Sequence, residues 1–171
     1  MAECSDLLSV NLAGLYAVTA VGGNFLAMRP NVAGVDLSPL MHVQSVQSGF
    51  CAGNTSVASV DLRPMVALRH IGDTFLFGCT RLTAVDLSQC DEVETIGGKF
   101  LCNLFSLEAL DLSGLGRAVL ELPHHARPES TSEMLRESTG KLTSVRLPAT
   151  GCLATLHRPA GAGPRYDGPL L

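Results

Sequence analysis

Four aspartates recur at a constant interval, and their carboxylates are the residues most able to act together chemically. They lie 25 positions apart, at Asp36, Asp61, Asp86 and Asp111. Carboxylates repeated along one surface can bind a basic segment of a partner, because complementary charge favours rapid and selective association. A calcium site is disfavoured, since Ca²⁺ takes about six to eight oxygens that converge on a point and this set is linear.

The same aspartates also have a purely structural interpretation. Each is followed two positions later by Ser or Arg, so its carboxylate can accept a local hydrogen bond from a serine or from a loop amide. Two like charges ~5 Å apart repel by about 0.8 kcal/mol in water before screening. Arg63 and Arg146 then offset part of the charge. Small neighbours at Gly34, Ser59, Ala84 and Ala109 leave the carboxylates open to a partner.

One other local group has the side chains to bind a metal ion or an anion, namely His124 and His125 close to Arg127. No third ligand follows at the spacing of a zinc site. The sequence contains no GxxxxGK[ST], HExxH or GxSxG motif. It therefore predicts no catalytic residue, no metal and no cofactor, and an enzyme that uses the two histidines is the weakest hypothesis.

The six cysteines form no CxxC pair and predict free thiols in a reducing compartment. Cys90 takes the place that Leu15, Leu40 and Leu115 hold in the repeat described below, so we expect it to be a small buried residue. The sequon at Asn54, Thr55 and Ser56 matters only in a secreted protein, and we interpret it as incidental. The chain is expected to be cytoplasmic.

A repeat of 25 residues organises the chain. Leu7, Val32, Val57, Leu82 and Leu107 share one column, and the segment LxxVDLS is followed in each unit by VxxIG and FLxxC. A sixth strand, LTSVRL at 142–147, fits the series after a ten-residue insertion within 119–134. Apolar columns at a fixed period predict units that stack on one another and share a core.

The predicted fold is an α/β, strand-rich, horseshoe-like solenoid of about six coils of 25 residues, with short helical turns. It occupies residues 1–150. A capping box at Ser130–Glu133 predicts a short helix that continues through Met134 and Leu135 and ends at Gly140. Residues 151–171 are rich in Gly and Pro and are expected to form a disordered tail.

Composition excludes several classes of partner. The 171 residues are 46% hydrophobic and carry a net charge of −4, so there is no basic stripe for nucleic acid. The sequence has no apolar run of about 18 residues, so no membrane span is predicted, and its N-terminus lacks the pattern of a signal peptide.

The units IGDTFLFGCTRLTAVDLSQC and IGGKFLCNLFSLEALDLSGL resemble BspA-type leucine-rich repeats, especially the long VDLS-containing repeats of kinetoplastid protozoa. The match covers about residues 5–147. The resemblance implies a curved solenoid that recognises proteins or glycans through its strand-lined face, with no catalytic residues. Proteins of this kind often lie on cell surfaces, which differs from the cytoplasmic expectation above.

We therefore expect a non-enzymatic leucine-rich-repeat module that binds a protein partner carrying a basic segment. The predicted contacts are Asp36, Asp61, Asp86, Asp111, Arg63 and Arg146. The alternative is a structural or truncated repeat protein that assembles through its first coil, because that coil begins near residue 7 without a polar cap. Self-association, a covering partner and a fragment of a longer protein all explain such an end.

Overall fold

The computed structural model describes residues 7–120, 134–138, 140–151 and 153, and within them the chain is a strand-rich solenoid. We number the 25-residue units from unit 1 (7–31), followed by unit 2 (32–56), unit 3 (57–81) and unit 4 (82–106). The strands in this part of the chain are β1 (Ala20–Val21), β2 (Ser45–Val46), β3 (His70–Ile71), β4 (Ala84–Asp86), β5 (Thr95–Ile96), β6 (Ala109–Asp111), β7 (Val119–Leu120) and β8 (Ser144–Arg146).

These strands form two parallel sheets that run along the stack. The VxxIG segments form a five-stranded sheet in the order β1-β2-β3-β5-β7, and the VDL segments of the later units form a three-stranded sheet in the order β4-β6-β8. Val21 lies opposite Val46, and Val46 lies opposite Ile71. The pairing of β6 with β8 brings Leu110 opposite Val145. This register confirms that the last strand follows the fifth after an interval longer than 25 residues.

The solenoid has about four turns, so the prediction of six coils is wrong. Four successive pairings join the five strands of the larger sheet. One of the six predicted coils, the last, adds no strand to that sheet among the described residues. The VDL-equivalent segments of units 1, 2 and 3 form no strand, so the smaller sheet begins only at β4. The insertion at the other end includes residues 121–133, which lie outside the described residues.

The predicted helical turns are also largely wrong, because almost no helix forms. The described residues include a short 3-10 helix at Ser38–Leu40. The FLxxC segments instead alternate left-handed and right-handed residues. Leu26, Leu76 and Leu101 all have φ between 53° and 55°. A backbone that reverses its handedness at every second residue cannot continue as an α-helix.

This alternation directs backbone groups to the neighbouring units instead of along a helix. The amide of Cys51 donates to the carbonyl of Phe25 at 2.8 Å, and that of Leu76 donates to the carbonyl of Phe50 at 3.0 Å. The predicted helix through Met134 and Leu135 fails for the same reason, since Leu135 has φ 60° and lies in a turn. Residues 130–133 of that prediction lie outside the described residues.

In the core, residues of the same type from successive units stack on one another. Phe25, Phe50, Phe75 and Phe100 stack with ring centroids 5.6, 5.3 and 5.7 Å apart. The latter three are fully buried. Stacked rings contribute beyond their buried area, so this spine accounts for much of the cohesion between units. The domain boundary at residue 150 stays a prediction, and the tail after Leu153 lies outside the described residues.

Candidate interaction surface

The aspartate column, Asp36, Asp61, Asp86 and Asp111, closes a repeated turn. In each unit the Oδ1 atom accepts a hydrogen bond from the amide two residues later, at 2.9 to 3.1 Å. Asn11 does the same in unit 1, where its Oδ1 accepts from the amide of Ala13 at 2.9 Å. Such Asx turns satisfy a backbone donor where the chain leaves the strand direction. The local hydrogen bonding proposed as the structural interpretation is therefore present.

The two arginines of the predicted site each pair with one aspartate. Arg63 donates from Nε to Oδ1 of Asp61 at 2.9 Å and from its terminal nitrogen to Oδ2 at 2.8 Å. Arg146 reaches Oδ2 of Asp111 at 3.5 Å. Both arginines are exposed, so these pairs add little stability. Asp61 and Asp111 are therefore ion-paired, whereas Asp36 and Asp86 form no ion pair within the described chain.

The local hydrogen bonds favour the charged form of three aspartates. The side chain and amide of Ser38 lower the pKa of Asp36, and those of Ser88 lower the pKa of Asp86. The guanidinium of Arg63 lowers the pKa of Asp61. These three carboxylates are therefore anionic at neutral pH.

Only three of the six predicted site residues lie in paired strands. Asp86, Asp111 and Arg146 lie directly opposite one another in β4, β6 and β8. Asp36 and Asp61 have the same turn geometry but lie outside the strands. The predicted small neighbours are consistent with an open surface, since Gly34, Ser59 and Ala84 are exposed and Ala109 is half-buried.

A second charged column was missed by sequence reasoning. Arg69 contacts Glu94 at 2.8 Å and Glu92 at 3.5 Å, and Arg117 contacts Glu92 at 3.4 Å. The signal was present in the sequence, because Arg69 and Glu94, like Glu92 and Arg117, are opposite charges separated by one period. This network borders the five-stranded sheet, where Nδ1 of His70 also lies 3.1 Å from the hydroxyl of Thr95.

Buried polar groups form a third column between the units. Asn54 is fully buried; its Oδ1 accepts from the amide of Arg29 at 2.7 Å and its Nδ2 donates to the carbonyl of Leu26 at 2.8 Å. In the last turn Ser138 donates to the carbonyl of Leu101 at 2.6 Å. Both acceptors belong to left-handed residues. The sequon at Asn54 is thus part of the core, which agrees with its interpretation as incidental.

The buried thiols are not arranged for nucleophilic chemistry. Burial raises the pKa of Cys51 and of Cys90 to about 12 and that of Cys79 to about 11. The expected burial of Cys90 is confirmed. No disulfide joins Cys51, Cys79, Cys90 or Cys102. The remaining two cysteines, together with His124, His125 and Arg127, lie outside the described residues.

Two further findings bear on the predicted partners. Across residues 7–120 and the shorter described segments, no group of three His, Cys, Asp or Glu side chains is placed to hold a metal ion. No helix in that same part of the chain is long and apolar enough to cross a membrane.

Comparisons with known proteins supply no family for this geometry. No protein-family model matches the chain, and no match is found among curated proteins or among solved structures.

Proposed function

We propose that the protein is a non-enzymatic leucine-rich-repeat module, similar to BspA-type proteins, that binds a protein partner through the face carrying the aspartate column. The observation that carries the proposal is the fixed placement of the carboxylates. Each has Oδ1 held by its own turn, so the side chain is oriented before any partner arrives. Pre-orientation lowers the entropy lost on binding.

The chemistry of this face favours a partner segment rich in Lys or Arg. Asp36 and Asp86 carry negative charge and form no ion pair among the described residues, and the residues two positions from them in sequence are small. Arg63 and Arg146 pair with alternate carboxylates of the column, Asp61 and Asp111. A segment with basic residues spaced to avoid these arginines is therefore preferred over a uniformly basic one.

The test replaces all four aspartates with asparagine and measures partner binding. Asn11 already closes the same turn in unit 1, so the variant keeps the turn acceptor and loses only the charge. Partners captured from a lysate of the source organism would be identified, purified and titrated against wild-type and variant protein at low and high salt. We expect binding that weakens at high salt and falls at least tenfold in the variant, which corresponds to about 1.4 kcal/mol.

A matched control removes four negative charges that lie outside the aspartate column, in units 3 and 4. Asp73→Asn, Asp91→Asn, Glu92→Gln and Glu94→Gln produce the same net charge and leave the aspartate column intact. The control is expected to bind like wild type. Equal loss in both variants would show that only net charge matters, and unchanged binding in the aspartate variant would reject this face as the contact surface.

A further inference from the structure

Several positions that are buried in later units are exposed or half-buried in unit 1. Leu15 is 37% exposed, whereas the residues at the same position in the next units, Leu40, Met65, Cys90 and Leu115, are at most 1% exposed. Phe25 and Leu26 are half-buried, although Phe75 and Leu76 at the same positions have no exposed surface. The core of the described solenoid is therefore open at its unit 1 end.

Backbone donors are open at the same edge. The amides of Gln44, Gln47 and Cys51 donate to carbonyls of unit 1. Their counterparts in unit 1, the amides of Thr19, Gly22 and Leu26, have no acceptor among the described residues. Unpaired strand-edge groups beside an apolar surface form a template for pairing with another chain.

Glycine geometry shows how closely a neighbour can approach there. A Cβ at Gly72 would lie 2.6 Å from the amide nitrogen of Ser48, because unit 2 packs directly beneath it. A Cβ at Gly22, the same position in unit 1, would meet nothing within 4 Å. Gly22 therefore leaves room for the close backbone contact that joins the interior units.

The charge distribution indicates what can cover this edge. Unit 1 carries a single charged side chain, Arg29. Unit 3 carries five: Asp61, Arg63, Arg69, Asp73 and Arg81. An edge with one charged side chain offers little complementarity to an acidic or a basic partner, and it places few like charges against each other when two copies meet.

We propose that the unit 1 edge is a self-association surface that docks on the same edge of a second copy of this chain. A two-fold axis at right angles to the stack brings the two β1 strands together in antiparallel orientation. The contact is isologous and closes at two copies. It buries Leu15 and the exposed ring edge of Phe25, and it supplies acceptors for the open amides.

A second copy fits this edge better than a partner of different chemistry. Neighbouring units pack with the same residue type at equivalent positions, as Phe25 against Phe50 and Val21 against Val46 show. A second unit 1 presents apolar side chains of the same size together with a strand edge of the same length. The inference does not depend on the aspartate column, which lies on a lateral face of the solenoid.

The experiment measures the mass of the full chain by sedimentation equilibrium over a wide concentration range. We expect a reversible species of twice the 18.0 kDa chain mass. Gly22→Arg places a charged side chain in the open space of the edge and should yield monomer at all concentrations. Gly34→Arg is the matched control, because Gly34 is exposed on the lateral face and a Cβ there also meets nothing within 4 Å; it should dimerise like wild type.

Amide hydrogen exchange identifies the contact. Protection of the Thr19, Gly22 and Leu26 amides should rise with protein concentration in the wild type and be absent in Gly22→Arg, while thermal melting confirms that both proteins fold. A wild type that stays monomeric overturns the proposal. Protection that is independent of concentration would show that residues 1–6 cover the edge and would also overturn it, as would a dimer that leaves these amides unprotected.

Discussion

Unit 1 and unit 3 have nearly the same apolar pattern but very different environments. Phe75 in unit 3 stacks on two rings, whereas Phe25 stacks on one and stays half-buried. Gly72 is pressed against the backbone of the preceding unit, whereas Gly22 faces open space. The comparison shows that a repeat residue is fully buried when neighbours lie on both sides of its unit. Burial is therefore a property of the stack and cannot be assigned from a single unit.

The largest expected difference between the two units concerns the phenylalanine spine. Phe75→Ala removes a fully buried ring that is stacked at 5.3 Å and 5.7 Å on its neighbours. We expect a loss of about 3–5 kcal/mol in the free energy of unfolding, because a cavity opens between two units. Urea denaturation followed by circular dichroism measures it.

Phe25→Ala serves as the counterpart at the end of the stack. It should lower the free energy of unfolding by about 1–2 kcal/mol, since this ring has one stacked neighbour and is partly in water already. Equal losses for the two variants would contradict the view that unit 1 has an open side.

A smaller contrast is expected at the glycines. Gly72→Ala should destabilise by about 1–3 kcal/mol, because its Cβ would lie 2.6 Å from a backbone nitrogen of unit 2 that cannot move independently of the stack. Gly22→Ala meets no atom within 4 Å and should be neutral or slightly stabilising. Thermal melting of the two variants in parallel checks the difference. A neutral Gly72→Ala would indicate looser contact between units 2 and 3 than the structure shows.

The period of 25 residues was sufficient to predict the solenoid, the aromatic spine and the burial of Cys90. Those predictions need only a count of apolar columns, and stacking then gives each column its environment. The helical turns failed because nothing in the side chains of Leu26 or Leu76 signals a left-handed backbone. The glycines at positions 49, 53 and 78, which have φ of 83°, 72° and 70°, were the only hint of it.

The candidate site was predicted in position but not in detail. The recurrence of Asp identified the column, and both the local hydrogen bonds and the arginine pairs had been considered. Asn54 was not recognised as a core residue, since an Asn followed by Thr and Ser resembles a surface loop until its partners in the preceding unit are known. To predict a contact between residues of neighbouring units, one must know the register in which the units stack as well as the period of the repeat.

The aspartate turns allow a finer test of how a unit is closed. Asp86→Ala removes the acceptor for the amide of Ser88 and should lower the free energy of unfolding by about 0.5–1.5 kcal/mol. Asp86→Asn keeps the acceptor, as Asn11 does in unit 1, and should change stability by less than about 0.5 kcal/mol. Chemical denaturation at neutral pH distinguishes them. If both variants lose the same amount, the charge of Asp86 rather than its turn stabilises the unit.

The smallest expected effect is a pH dependence that unit 1 lacks. Asp36, Asp61 and Asp86 have a lowered pKa in the folded chain, whereas Asn11 at the same position does not titrate. The unfolded chain, in which an Asp has a pKa of about 3.9, therefore takes up protons first as the pH falls. The stabilisation from these groups is complete above about pH 4 and is lost as the pH drops through their pKa values in the folded chain.

Urea denaturation in steps from neutral to acidic pH measures this effect. On acidification, the triple variant Asp36→Asn, Asp61→Asn and Asp86→Asn should lose less of its free energy of unfolding than the wild type. Parallel acid curves for the two proteins would mean that the turns are indifferent to charge.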